Sequence, residues 1–291
     1  MQIKQALAVR TILFLVISTL MLTSCSRMNL AYRNLDLLIP WSLNDYLDMN
    51  RDQQTRFRAQ LREHISWHCR TQLPGYLDLI DRLQTEVHQG TLNEAALRAH
   101  YREAQEAIQT IATQITPTTV QLLRDLDDRQ VRELSERFEK DRQERLKKYV
   151  QPSIAQQVRE RADRMRERVE QWMGKTSETQ RARIVEWATA LDEQNTLWLD
   201  NRTQWQRSLV DAVTNRQQPG FDERIARLLQ DREVYWTREY RDAFPATEQA
   251  AIDLVIDLYG SAETGQRRRI ESRLQDMRRD LGSLDCLPNP Q

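Results

Sequence analysis

The side chains of this sequence that could bind a metal lie close together in one short stretch. His64 and His68 are four residues apart, and Cys69 follows directly. Side chains at this spacing share one face of a helix, where imidazole and thiolate groups could coordinate zinc. Two histidines are too few for a closed zinc site. Because Phe57 and Leu61 share their stripe, packing at the edge of the core is the favoured alternative. We therefore expect no metal and no cofactor. His64 and His68 stay weak candidates for metal ligands.

Residue patterns typical of catalysis are missing from the sequence. It has no phosphate-binding loop, no nucleophile elbow and no cluster of Asp, Glu and His at catalytic spacing. We expect no catalytic residue and a protein that is not an enzyme.

Tryptophans form a second pattern. Trp187, Trp198 and Trp205 fall on one stripe with a period near 3.5 residues. Such a stripe is typical of a helix core, and a ligand groove is the alternative. Trp41 lies near the N-terminus, where an aromatic ring could either enter a membrane headgroup zone or pack on the body.

The N-terminus has the pattern of an export signal. Lys4 and Arg10 give it a positive start, and an apolar run follows over residues 11–22. That run is too short to cross a bilayer, which takes roughly 20 residues. We therefore interpret Met1–Ser24 as a signal peptide rather than a membrane anchor.

Cys25 follows this segment in Leu22-Thr23-Ser24-Cys25, which resembles the bacterial lipobox. The resemblance implies diacylglycerol on the Cys25 thiol, cleavage before Cys25 and a third acyl chain on the new amine. Several acyl chains hold a protein firmly at a membrane, whereas one does not. The alternative is an ordinary signal with a chance cysteine. Because Ser26 rather than Asp follows, the resemblance implies an outer-membrane anchor and a body facing the periplasm.

Lipidation of Cys25 leaves an even pair of cysteines, Cys69 and Cys286. An even number of thiols in an oxidising compartment favours a disulfide between them. Such a bond would pin the C-terminal tail to an early helix. The alternative is two separate free thiols.

The composition favours a protein of long helices. The chain of 291 residues contains only seven Gly and eight Pro, and 30% of its residues are charged. Removing residues 1–24 takes away Lys4 and Arg10, so 41 basic and 43 acidic residues remain and the formal charge is −2. This balance gives no reason to expect nucleic-acid binding. We predict an all-α fold, an elongated antiparallel multi-helix bundle.

A recurring pattern marks helix starts, namely a short polar residue followed three positions later by Gln. In this capping box the first side chain and the Gln side chain satisfy each other's backbone N–H groups. The pairs are Asn50 and Gln53, Asp127 and Gln130, and Ser177 and Gln180. We also expect Pro117 to begin a helix and Gly220 to end one.

These signals occur twice at similar spacing, which favours an internal duplication of a four-helix unit. The predicted organisation is a signal peptide at 1–24, a lipid-anchored segment at 25–41, a first helical unit at 42–174, and a second unit with the C-terminal tail at 175–291. The alternative is that any helical bundle has caps and glycines at such intervals.

The stretch Asn29–Tyr76 (NLAYRNLDLLIPWSLNDYLDMNRDQQ…WHCRTQLPGY) resembles the start of an uncharacterised family of Gram-negative lipoproteins. The resemblance covers the mature chain and implies an all-helical fold without catalytic residues. Leu126-Asp-Asp-Arg-Gln130 is similar in spacing to the Leu-Thr-x-x-Gln motif of small periplasmic stress chaperones, although Asp127 replaces the Thr.

The expected function is therefore non-enzymatic. We predict a lipid-tethered helical protein that faces the periplasm, is held at the membrane by acyl chains on Cys25, and binds or scaffolds another envelope protein. The first alternative is a chaperone-like holdase for envelope proteins. The second alternative is a metal-binding or enzymatic protein.

Overall fold

The computed structural model describes residues 32–284 and residue 286. Within these residues the chain is all-α and contains no β-strand, which confirms the predicted fold class. The helices are α1 (Leu35–Leu47), α2 (Arg51–Thr71), α3 (Leu73–Gln89), α4 (Glu94–Arg124), α5 (Asp128–Arg145), α6 (Ile154–Met173), α7 (Glu178–Ala190), α8 (Gln194–Thr214), α9 (Phe221–Gln230), α10 (Arg238–Gly260) and α11 (Thr264–Gly282). A π-helical turn (Leu146–Val150) follows α5, and a 3₁₀ turn (Arg232–Tyr235) follows α9. No helix in the described part of the chain is long and apolar enough to cross a membrane.

The largest core is built by helices that lie far apart in the sequence. Its buried side chains come from α1, α2, α4 and α5 and from α8 and α9. A second core joins α6 and α7 to α10, and a third joins α3 to α10 and α11. Each core thus draws on both sides of the predicted boundary at residue 174. The duplication stays a prediction.

The three capping boxes named from the sequence stand at helix starts. At α2, α5 and α7 the first side chain accepts from the backbone N–H of the Gln three residues later, and the Gln side chain accepts from the first residue's N–H. The pairs are Asn50 and Gln53, Asp127 and Gln130, and Ser177 and Gln180. Gln266 makes the same return contact at α11, where its Oε1 accepts from the N–H of Glu263 at 3.0 Å.

These four glutamines meet in two buried pairs, which we call the glutamine joints. In the first joint Gln53 Nε2 donates to Gln130 Oε1 at 3.2 Å, and Gln130 Nε2 donates to Gln53 Oε1 at 2.9 Å. In the second joint Gln180 and Gln266 exchange the same two bonds at 2.9 and 3.0 Å. Each joint fixes two helix starts side by side, α2 with α5 and α7 with α11.

The two joints share a further detail. Each Gln also donates to the carbonyl two residues before its partner's cap residue. The acceptors are Asp125 for Gln53, Asp48 for Gln130, Ser261 for Gln180 and Lys175 for Gln266. Two joints with one bonding pattern, each linking helix starts about 80 residues apart in sequence, are what a duplicated unit would produce.

Two expectations about helix ends are wrong. Pro117 lies inside α4 rather than at a helix start. α4 packs against α2 and α9, and this packing outweighs the hydrogen bond that proline removes. Gly220 stands before the start of α9 with φ 81° instead of ending α8, which ends at Thr214. A left-handed φ suits glycine at either end of a helix, so the residue type alone could not decide the direction.

Candidate functional site

The predicted disulfide is present. Cys69 at the end of α2 and Cys286 after α11 are bonded, with their Cα atoms 6.0 Å apart. The bond lies in a small apolar cluster with Leu73 and Leu284. It closes a loop of 217 residues and holds the tail against α2. The alternative of two free thiols is therefore wrong. Cys25 and the signal Met1–Ser24 lie outside the described residues.

The two candidate histidines are hydrogen-bonded to side-chain hydroxyls. His64 Nε2 lies 2.7 Å from Thr118 Oγ1. His68 Nδ1 lies 3.0 Å from the hydroxyl of Tyr32, and its Nε2 lies 3.3 Å from that of Tyr76. Burial lowers the pKa of both imidazoles, because the charged form is disfavoured away from water. Among the residues the structure describes, no group of three or more His, Cys, Asp or Glu could hold a metal ion.

Both histidines belong to the wall of a large apolar cavity of about 680 Å³. The cavity lies within the largest core, between α1, α2, α4, α5, α8 and α9. Its wall is made almost entirely of aliphatic and aromatic side chains, among them Ile39, Leu43, Phe57, Ile115, Leu122, Phe138, Trp205 and Leu229. Cavities of roughly 300–1,000 Å³ with such walls are typical of sites for small organic ligands. We therefore take this cavity as the candidate site.

Helix α1 forms one side of the cavity and is apolar on both faces. Leu35, Ile39 and Leu43 line the cavity from its inner face. On its outer face Leu37, Leu38 and Trp41 are 54%, 47% and 69% exposed. An amphipathic surface helix would carry polar residues there. The outer face of α1 thus presents apolar surface to its surroundings.

A cluster of charged side chains, the arginine cluster, borders the cavity where α5 meets α8. It consists of Arg137, Asp141, Arg145 and Arg202. Tyr46 on α1 donates to Asp141 Oδ2 at 2.6 Å, and this hydrogen bond raises the pKa of the Tyr46 hydroxyl. Asp141 Oδ1 lies 3.9 Å from Arg137 Nε. Burial lowers the pKa of the Arg202 guanidinium, and repulsion from Arg145 lowers it further to a smaller extent. The cluster therefore holds positive charge in a poorly solvated position.

A second cavity, of about 640 Å³, lies on the far side of Arg202. Arg202 and Trp205 line both cavities. The second wall is rich in rings and amides, including Trp198, Trp236, Tyr240, Phe244, Gln105, Gln109, Asn201 and Gln230. The rings of Trp236 and Phe244 are tilted by 46° to each other, with centroids 4.7 Å apart. We call this the aromatic cavity.

The tryptophan stripe of the sequence is divided between two places. A turn at Leu191–Glu193 separates α7 from α8. Trp187 is buried in the second core, as expected for a core stripe. Trp198 and Trp205 instead line the aromatic cavity. Trp205 also packs against the largest core, and the alternative of a ligand groove stays a prediction.

Residues that sequence reasoning did not identify supply much of this site. Arg202 gave no signal, because one arginine among many on a charged helix is unremarkable in sequence. The sequence of helix α1 did give a signal. The run Leu35–Leu47 contains apolar residues on all sides and only two acidic side chains, which is unusual in this charged chain.

Comparisons with known proteins give a family and no function. Neither a curated protein nor a solved structure matches this chain. The model of one protein family matches residues 45–241, which covers most of the chain, from the end of α1 to the start of α10. The protein therefore belongs to the family of unknown function DUF6279.

Proposed function

We propose that this protein is a lipid-tethered, non-enzymatic binding protein of the bacterial envelope whose ligand occupies the apolar cavity under α1. The observation that carries the proposal is the cavity itself, about 680 Å³ within the main core and walled by apolar side chains. The cavity is partly open to solvent, so its apolar wall is left facing water. Water in an apolar cavity lacks hydrogen-bond partners, whereas an apolar ligand would restore the missing contacts.

The proposed tether would keep the cavity near the membrane. Six residues lie between Cys25 and Tyr32, the first described residue. At 3.3–3.6 Å per residue, the segment spans at most about 25 Å. Acyl chains on Cys25 would therefore hold α1, with Leu37, Leu38 and Trp41 exposed on its outer face, close to the lipid surface. An apolar ligand could pass between the bilayer and the cavity over a short distance.

Binding of an uncharged alkyl compound tests the proposal. The mature chain, residues 25–291 with Cys25→Ser, is produced in an oxidising compartment so that the Cys69–Cys286 bond forms. The uncharged fluorophore N-phenyl-1-naphthylamine serves as the probe, and hexadecanol as the competitor. We expect saturable probe binding at one site and its displacement by hexadecanol.

Two tryptophan substitutions test whether the probe binds in the apolar cavity. Ile115→Trp fills the cavity from α4 and should abolish probe binding. Val185→Trp, at a half-exposed position on α7 outside the cavity, is the matched control and should bind normally. Equal binding by both variants, or no saturable binding by the unsubstituted chain, would remove the cavity as the functional site. Suppression of client aggregation without saturable binding would favour the holdase alternative.

A further inference from the structure

The arginine cluster carries more positive than negative charge and has unused hydrogen-bond donors. It sets three guanidinium groups, Arg137, Arg145 and Arg202, against the carboxylate of Asp141. The Nε atoms of all three arginines are buried and have no hydrogen-bond partner in the described part of the chain. Buried donors are normally paired, because an unpaired one loses its bonds to water and gains nothing in return. Of the three, Arg202 lines the cavities, and an anion bound there would supply the missing acceptor for its Nε.

Aromatic rings hold two of these arginines in place. The Arg145 guanidinium lies 5.6 Å from the centre of the Trp198 ring, and that of Arg137 lies 5.7 Å from the centre of the Tyr46 ring. Both contacts are within the range of cation–π attraction. Neither of these two side chains lines the apolar or the aromatic cavity, whereas Arg202 lines both.

Arg202 stands where the two cavities meet. On one side is the apolar cavity, and on the other is the aromatic cavity with its four amide side chains. A ligand that matched all three surfaces would have an alkyl chain, a negative group and a polar remainder in that order. A purely apolar ligand would leave the Arg202 donor unpaired.

We propose that the ligand is an anionic amphiphile, with its alkyl chain in the apolar cavity and its carboxylate or phosphate group against Arg202. The polar remainder of a larger ligand extends into the aromatic cavity. This inference rests on the proposed function, because it names the class of ligand for the same cavity. Arg202 is the residue that selects the charged headgroup, and the apolar wall selects the chain.

Matched ligands of one chain length test the headgroup. The chain used for the probe assay is titrated with palmitate, hexadecyl phosphate and hexadecanol, and with inorganic phosphate alone. A charge-assisted hydrogen bond in a buried site should make palmitate or hexadecyl phosphate about tenfold or more tighter than hexadecanol. Inorganic phosphate alone should not displace the probe.

Variants of Arg202 test whether this residue causes the preference for a charged headgroup. Arg202→Gln should remove the preference for the charged ligand and leave hexadecanol affinity within about twofold. Arg202→Lys keeps the charge and should keep most of the preference. Arg168→Gln, at an exposed position on α6, is the control and should change nothing.

The outcomes separate the two proposals. If hexadecanol and the charged ligands bind equally well to the unsubstituted chain, the headgroup inference is wrong and the proposed function stands. If Arg202→Gln leaves the preference for the charged ligands intact, Arg202 is not the headgroup site. Displacement by inorganic phosphate alone would indicate a site for a free anion. If neither the probe nor any of the alkyl ligands binds saturably, the proposed function fails, and this inference fails with it.

Discussion

Replacing Gln130 by Ala should be among the most destabilising single changes in this protein. The Gln130 side chain is 1% exposed and serves two purposes. Its Oε1 accepts from the Asp127 N–H at 3.0 Å, which completes a helix cap. Its Nε2 lies 2.9 Å from the carbonyls of Leu47 and Asp48 and 2.9 Å from Gln53 Oε1. Alanine would remove all of these contacts from a site that water does not reach.

The magnitude follows from the groups left unpaired. Each buried donor or acceptor without a partner costs about 1–3 kcal/mol, whereas the bond from the residue-130 backbone N–H to Asp127 Oδ1 is kept. Since the Asp127 N–H and at least one carbonyl would be left unpaired, we expect Gln130→Ala to lower the free energy of unfolding by about 3–5 kcal/mol. Gln130→Glu keeps the acceptor but turns the donor into a carboxylate that faces carbonyl oxygens, so it should be about as harmful.

Urea unfolding followed by circular dichroism measures these changes, with the exposed Gln171→Ala on α6 as control. The control should shift stability by less than about 0.5 kcal/mol. A double-mutant cycle with Gln53→Ala should give a coupling of about 0.5–3 kcal/mol between the two glutamines. A cost below about 1 kcal/mol for Gln130→Ala, or strict additivity with Gln53→Ala, would refute the claim that the joint acts as a unit.

Three further outcomes are expected. Cys286→Ser should lower the urea midpoint, because the disulfide closes a loop of 217 residues; the chain-entropy limit is about 5 kcal/mol and typical losses are 2–4 kcal/mol. An unchanged urea midpoint would argue against stabilisation by loop closure. Burial lowers the folded-state pKa of His64 and His68, so their contribution to stability is complete above the unfolded value of about 6.5 and is lost as the pH falls through that value towards the folded pKa. Unfolding midpoints at pH values on either side of 6.5 should show this loss, and the double variant His64→Asn with His68→Asn should reduce it. Cys25→Ala should abolish acyl labelling and block normal processing, whereas continued labelling would overturn the lipoprotein assignment.

Much of the fold is predictable from sequence because it depends on local interactions. A capping box is completed within four residues, so Asn50 with Gln53 or Ser177 with Gln180 can be recognised without knowing the rest of the structure. The same holds for the helical spacing of apolar residues, which indicates the fold class.

The pairing of distant elements is not readable in this way. Nothing near Gln53 indicates that its amide will meet Gln130, because that contact depends on how α2 and α5 pack. The position of Pro117 inside α4 is unreadable for the same reason, since the helix continues past it while packed against α2 and α9. The cavity has no local signal at all, because it is a gap between six helices rather than a property of any one of them.

The position of the cavity within the main core has a consequence for the lifetime of the protein. A ligand that binds the folded chain adds a stabilisation that grows with its concentration, about 2.7 kcal/mol at one hundred times its dissociation constant. Set against a typical total of 5–15 kcal/mol, that is a substantial share. Envelope proteases that cleave transiently opened chains would then remove the empty form faster than the filled one. The abundance of the protein would thereby follow the supply of its ligand without any change in its synthesis.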